Sequence, residues 1–139
     1  MLRTKPEKKK KYVIKRSTTG LGMFAQQDIL SQTRILEYVG TRMINVEATQ
    51  ADNRYIIVLN ETHALDGKDR KNAARYINHS CEPNAAAFTT GKRVWIWSQQ
   101  TIKADEEITI NYGPEYLAAY IQPGACRCRG CLRRDEAAP

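Results

Sequence analysis

The stretch RYINHSCEPNA, Arg75 to Ala85, decides how the rest of the chain is read. It sets Asn78, His79 and Ser80 directly against Cys81 and then stops at Pro83 and Asn84. Proline fixes φ and asparagine tolerates tight bends, so the run ends in a turn. Tyr76 and Ile77 ahead of it suit a short buried strand or helical turn. Three polar groups and a thiol therefore sit where the chain leaves a core. That is a common place for a site, and equally a place for a satisfied polar turn with an inert cysteine.

Outward from that stretch, the flanking segments read as short strands separated by turn signals. YVIKRS begins a first strand over Tyr12 to Lys15. TTGLGMFA, Thr18 to Ala25, brings two glycines and a phenylalanine, with a second strand expected after it, leading into a turn. RILEYVGTRMI, Arg34 to Ile44, is rich in strand formers and interrupted by Gly40. VEATQADNR, Val46 to Arg54, has few β-branched residues and reads as a short helix. YIIVLN is a strand, and THALDG another that ends in an Asp-Gly turn. KNAARYIN, from Lys71, reads as a helical turn feeding the opening stretch. AAAFTT, RVWIWSQQTI and EEITINYG give three more strands, with Gly91 and Lys92 turning between the first two. PEYLAAYIQ, from Pro114, reads as a helical turn before Pro123 and Gly124. The expectation is one irregular, mostly β domain with little helix.

The 139 residues suffice for one compact domain. With 42% hydrophobic and 27% charged residues, the composition is that of a soluble globular protein. No apolar run approaches the roughly 20 residues that cross a bilayer, so no membrane contact is expected. The basic N-terminus lacks the apolar region of a secretory signal. Eight of the 22 basic residues and one of the 15 acidic ones lie within the first 16 positions. That segment carries the whole net charge of +7, and the remainder is formally neutral. Lysines 8 to 11 gain free energy against polyanions by counterion release, so nonspecific nucleic-acid contact is one use of the tail and simple solvation the other.

Four cysteines are present, Cys81, Cys126, Cys128 and Cys131. With no export signal the expected compartment is reducing, which disfavours disulfides. Four thiols are what a closed tetrahedral zinc site needs, and ACRCRGC is too tight a cluster for unrelated core residues. Cys81 is the one thiol left to complete the set. Gly20-Leu21-Gly22 is half of a dinucleotide fingerprint without its third glycine, and alone it would be a hairpin turn.

Taken in order, these pieces resemble the SET-domain protein lysine methyltransferases. The resemblance runs from about Ser17 to Cys131. It rests on STTGLGMFA, EYVG at Glu37 to Gly40, RYIIVL at Arg54 to Leu59, LDG, NAARYINHSCEPN, EEITINYG and CRCRGC. It implies a SET fold of short strands and small sheets with a C-terminal pseudoknot, in which the NHSC segment and the strand ending in Tyr112 pack through each other. The implied layout is a basic tail over 1–11, a SET domain over 12–113, a post-SET-like zinc flap over 114–132 and a C-terminal tail over 133–139.

The same resemblance implies an enzyme that uses S-adenosylmethionine to methylate a lysine of a protein, a histone tail or another basic, chromatin-like protein. Gly20, Leu21, Gly22, Met23, Asn78, His79 and Tyr112 would hold that cofactor. Tyr112 and Tyr55 would be the catalytic tyrosines, and Tyr55, Ile110 and Tyr116 would line the lysine channel, with Tyr120 contributing to the flap. Cys81, Cys126, Cys128 and Cys131 would bind structural zinc. Ile110 lacks a hydroxyl two residues before Tyr112, which implies room for di- or trimethylation. Glu37, Glu106 and Glu107 fit structural hydrogen bonds or a solvated face better than acid/base chemistry. Three positions depart from the family pattern: Asn111 where Asp is commoner, Ala104-Asp105 where Gly is usual, and the C-x-C-x2-C spacing.

The alternative is an inactive SET-like module that binds nucleic acid or protein through its tail and zinc knuckle. A monomer or homodimer is expected. So is an intracellular location, cytoplasmic in a prokaryote and nuclear or chromatin-associated in a eukaryote or virus.

Overall fold

The computed structural model describes residues 10–18, 20–44 and 54–113. Among the described residues ten strands run in chain order: β1 (Tyr12–Ser17), β2 (Gly20–Ala25), β3 (Arg34–Tyr38), β4 (Thr41–Ile44), β5 (Ile56–Val58), β6 (His63–Asp66), β7 (Asn78–His79), β8 (Ala85–Thr90), β9 (Arg93–Ser98) and β10 (Glu107–Ile110). A 3-10 turn, Ala73–Tyr76, precedes β7. The strands form three small sheets, ordered β1-β2-β10-β7, β3-β9-β8 and β4-β6-β5. This is the mostly β arrangement of short strands that the sequence implies. Among the described residues no helix is long and apolar enough to cross a membrane.

Alternation along the strands builds the core. On β9, Val94, Ile96 and Ser98 are fully buried, and the Ser98 hydroxyl is satisfied by donating to the Leu30 carbonyl at 2.6 Å. Met23, Ile77, Ile102 and Ile108 join Val94 and Ile96 in one apolar cluster. Burying each such side chain is worth about 1.5–3 kcal/mol. The cluster sits where the three sheets meet the 3-10 turn and holds β2, β7 and β10 in place.

Most expected elements lie where the sequence puts them. Gly40 separates β3 from β4, the KNAARYIN segment carries the helical turn, and the last three strands are present. The second strand differs, since it falls on the glycine-bearing stretch itself and not after it. Tertiary pairing overrides the weak strand propensity of glycine there: β1 covers one edge of β2 throughout, and β10 covers the other at Phe24 and Met23. The two glycines have separate reasons. Gly20 closes the β1–β2 hairpin opposite Ser17 at φ +116°, where an L side chain is strained. At Gly22 a Cβ would stand 2.5 Å from Glu107 Oε1 and 3.0 Å from Asn78 Nδ2. The helix expected over Val46 to Arg54 and the helical turn from Pro114 lie outside the described residues, apart from Arg54.

Candidate active site

β10 changes partners partway along. Glu107 and Ile108 pair antiparallel with Phe24 and Met23 of β2, and Thr109 and Ile110 then pair in parallel with Asn78 and His79 of β7. This side-by-side placement is the described part of the implied pseudoknot. Gly20 to Gly22 run on past the last β2–β10 pairing. The Asn78 side chain reaches this stretch, with its Nδ2 3.0 Å from the Leu21 carbonyl, 3.1 Å from Ser17 Oγ and 2.8 Å from Glu107 Oε1. Three acceptors around two amide protons fix that amide's orientation.

His79 is held from two sides. Its Nδ1 accepts the Tyr112 N–H at 3.0 Å, so the neutral ring carries its proton on Nε2, which lies 3.3 Å from Cys81 Sγ. Burial pushes the imidazole below the ordinary histidine value, in keeping with a neutral ring. The His79 and Tyr112 rings lie 5.3 Å apart, tilted by 45°. The Tyr112 hydroxyl donates to the Ile77 carbonyl.

Tyr55 is fixed through its main chain, since its carbonyl accepts from the Tyr38 hydroxyl at 2.6 Å and from the Gly67 N–H at 2.9 Å. Over its ring lies the Arg75 guanidinium, 4.5 Å from the centroid, and hydrogen bonding to Tyr55 raises that group above its ordinary value. Arg75 Nε is buried without a hydrogen-bond partner. The segment from Arg75 to Ile77 thus touches both tyrosines, with its side chain on Tyr55 and its carbonyl on Tyr112.

The structure brings Gly22, Leu21, Asn78, His79, Tyr112 and Cys81 into one neighbourhood. Met23, expected at the cofactor through its backbone, has a side chain 0% exposed in the core and a backbone between β1 and β10. Ile110 is 8% exposed within the same apolar cluster. Tyr116, Tyr120, Cys126, Cys128 and Cys131 lie outside the described residues. Among the described residues no three His, Cys, Asp or Glu side chains converge as a metal site. The three glutamates behave as structural acceptors: Glu107 toward Asn78, Glu106 toward Asn84 at 3.2 Å, and Glu37 toward Arg93 at 3.6 Å.

Sequence reasoning overlooked Ser17, Asn72 and the Arg75–Tyr55 contact, and read Asn84 only as a turn residue. Asn84, 6% exposed, gives its amide to the Glu107 carbonyl at 2.8 Å and accepts the Thr109 N–H at 2.9 Å. Asn72, 0% exposed, accepts from Val39 N and donates to the Gly67 carbonyl. An asparagine beside apolar residues was the available signal in both cases. Nothing local to Ser17 or Arg75 marked them.

Residues 20–113 match the family model described as SET domain. The chain is 31% identical over 134 residues to "Histone-lysine N-methyltransferase, H3 lysine-36 specific" of Candida albicans, covering 87% of this chain and 16% of that protein. It is 34% identical over 113 residues to "Histone-lysine N-methyltransferase 2D" of Homo sapiens, covering 73% and 2% respectively. It is 33% identical over 128 residues to "Histone-lysine N-methyltransferase set-2" of Caenorhabditis elegans, covering 81% and 8%. The chain therefore spans less than a fifth of the length of these relatives. With the family model matched along most of the described strands and the NHSC segment set against β10, the chain belongs to the SET domain family.

Proposed function

We propose that the chain is an S-adenosylmethionine-dependent protein-lysine N-methyltransferase acting on a histone or another nucleic-acid-associated protein, with its SET domain over 12–113, a zinc flap over 114–132 and tails on either side. The observation that carries the reading is the Asn78 amide bridging the Leu21 carbonyl and Glu107, with the Tyr112 hydroxyl on the carbonyl of the preceding residue, Ile77. The names of the relatives support a histone substrate and, with it, a chromatin location.

The residues suit the cofactor. The Leu21 carbonyl is within hydrogen-bond reach of the Asn78 amide, and the close approach of Glu107 and Asn78 leaves no room for a side chain at position 22. Gly20, Leu21, Gly22, Asn78 and His79 would hold it, with Met23 contributing through backbone alone. When bound, S-adenosylmethionine supplies a methyl group already activated by its sulfonium. The protein then has to supply position and a neutral amine, not strong acid/base groups. A free lysine has a pKa near 10.4, so only about one in a few thousand is neutral near pH 7, and a desolvated channel favours the neutral form. A tyrosine hydroxyl whose proton goes to the Ile77 carbonyl turns its lone pairs elsewhere, so Tyr112 would accept from and orient the amine and not deprotonate it. Tyr55, pinned by Tyr38, Gly67 and Arg75, would form a wall of the lysine channel with Tyr116, and Ile110 would leave space for di- or trimethylation.

Cys81 suits a zinc thiolate, because His79 Nε2 points an N–H at its sulfur. Cys126, Cys128 and Cys131 would complete the set. Metal analysis of the purified chain checks this: one zinc per chain is expected, and loss of zinc in Cys81→Ser.

The activity is tested by transfer of labelled methyl from S-adenosylmethionine to histones, nucleic-acid-associated proteins and the enzyme itself, beside Tyr112→Phe. Transfer to lysine that falls about a hundredfold in the variant, the cost of a misplaced amine, is expected. Cofactor binding with no transfer to any of these would overturn the catalytic reading. Strictly monomethylated product at saturating cofactor would remove the role given to Ile110.

A further inference from the structure

The outer face of the β3-β9-β8 sheet carries side chains that neither the core nor the candidate active site uses. Trp95 and Trp97 turn outward between the buried Val94, Ile96 and Ser98, and both are half-buried. Strand register sets Phe88 and Glu37 opposite Trp95, and Ala86 and Arg34 opposite Trp97. Phe88 is 49% exposed. The Arg34 guanidinium lies 4.2 Å from the Trp95 ring centroid and 6.0 Å from that of Trp97. Three aromatic rings and a stacked cation thus share one solvent-facing surface.

Charge completes the picture. Arg93 and the exposed Lys92 lie at the hairpin end of this face, and Lys11 brings its ammonium to 3.4 Å from the Arg34 carbonyl. Glu37 is the carboxylate of this face and is engaged by Arg93 at 3.6 Å. Lys11 ends the run Lys8 to Lys11, so the most basic stretch of the sequence joins the fold beside Arg34.

We infer that this face binds single-stranded nucleic acid, with bases stacking on Phe88, Trp97 and the Arg34 plane above Trp95, and phosphates meeting Lys11, Lys92 and Arg93. Aromatic rings on a sheet combined with arginine planes and flanking cations are what base faces and a phosphate chain need together. Trp95 and Trp97 stand roughly 7 Å apart along β9. That is twice the 3.4 Å rise of stacked bases, so neighbouring bases would be splayed and not stacked on each other. A duplex hides its base faces, and an acidic peptide has none. The contact reads base plane and phosphate, so DNA and RNA strands serve alike. This surface is separate from the candidate active site, and the inference does not rest on the methyltransferase reading.

Trp95 and Trp97 are the 2 tryptophans of the chain, so intrinsic fluorescence reports on this face. The full chain would be titrated with a mixed-sequence single-stranded DNA oligonucleotide, the same sequence as RNA, the corresponding duplex, and polyglutamate. Tryptophan quenching by both single strands is expected, with the duplex binding at least about tenfold more weakly. Phe88→Ala and Arg34→Ala, both at exposed positions, should each weaken single-strand binding about tenfold, the loss of one base stack. Replacing Lys8, Lys9, Lys10 and Lys11 with Gln should lower affinity and its salt dependence while leaving the quenching at saturation intact. Equal quenching by duplex or polyglutamate, binding without quenching, or binding unchanged in both Phe88→Ala and Arg34→Ala would each overturn the inference.

Discussion

Replacing Asn84 with alanine tests the structural basis of the candidate active site. The Asn84 amide pairs with β10 as a neighbouring strand would, accepting from Thr109 N at 2.9 Å and donating to Glu107 O at 2.8 Å. It also donates to Glu106 Oε2 at 3.2 Å. The residue is 6% exposed, and Ile108 between the two bonded positions is 0% exposed, so water reaches these groups poorly. Each bond is worth about 1 kcal/mol net, and a buried polar group left behind costs about 1–3 kcal/mol. Asn84→Ala should therefore lose about 2–4 kcal/mol. In a domain of this size that lowers Tm by roughly 10 °C. Urea unfolding with an unchanged m-value reads the loss as stability and not as altered compactness. Asn84→Asp keeps an acceptor for Thr109 but turns it on the Glu107 carbonyl and the Glu106 carboxylate, so it should rescue nothing. A loss below about 0.5 kcal/mol in Asn84→Ala would refute the view that this side chain acts as the missing strand partner of β10.

Three further outcomes follow from local geometry. Asp105 adopts φ +72° at the place where the family pattern has glycine, so Asp105→Gly should stabilise the fold by up to about 1 kcal/mol in thermal melts, and Asp105→Val should destabilise it. Gly22→Ala would drive its Cβ against Glu107 Oε1 and Asn78 Nδ2; a stability loss of about 1–2 kcal/mol and weaker S-adenosylmethionine binding by calorimetry are expected, and unchanged affinity would separate this wall from the cofactor. The backbone N–H of Ala104, and then the charge of Lys103, hold the Asp28 carboxyl below its ordinary value. The stability it lends is present above the unfolded carboxylate pKa and fades as pH falls through the folded one, so Asp28→Asn should narrow toward wild type under acid conditions when unfolding is followed against pH.

Much of the architecture was legible because its signals are local. Alternation in RVWIWS, the punctuation at Gly40 and Gly91, and the Pro-Asn end of the opening stretch each act within a few residues. β2 was misjudged because a glycine-rich stretch has no intrinsic reason to be a strand; two neighbouring strands, one of them from the far end of the described chain, make it one. The resemblance singled out Asn78, His79 and Tyr112, which the fold sets side by side, whereas Asn84 bonding to β10 and Arg75 lying over Tyr55 are contacts between segments whose separation no pattern encodes. Asp105 was visible as a departure, and its positive φ gives the physical reason the position ordinarily takes glycine.

The division of β10 between two partners has a consequence for how the chain matures. Hairpins such as β1–β2 and β8–β9 close over short loops and can form early, but β10 must find strands laid down long before it. Until it docks, the far edge of β2 is an unpaired ribbon open to any passing strand, the usual entry point for misassembly. On the ribosome, that edge of β2 therefore stays open until Glu107 and Ile108 have emerged to cover it.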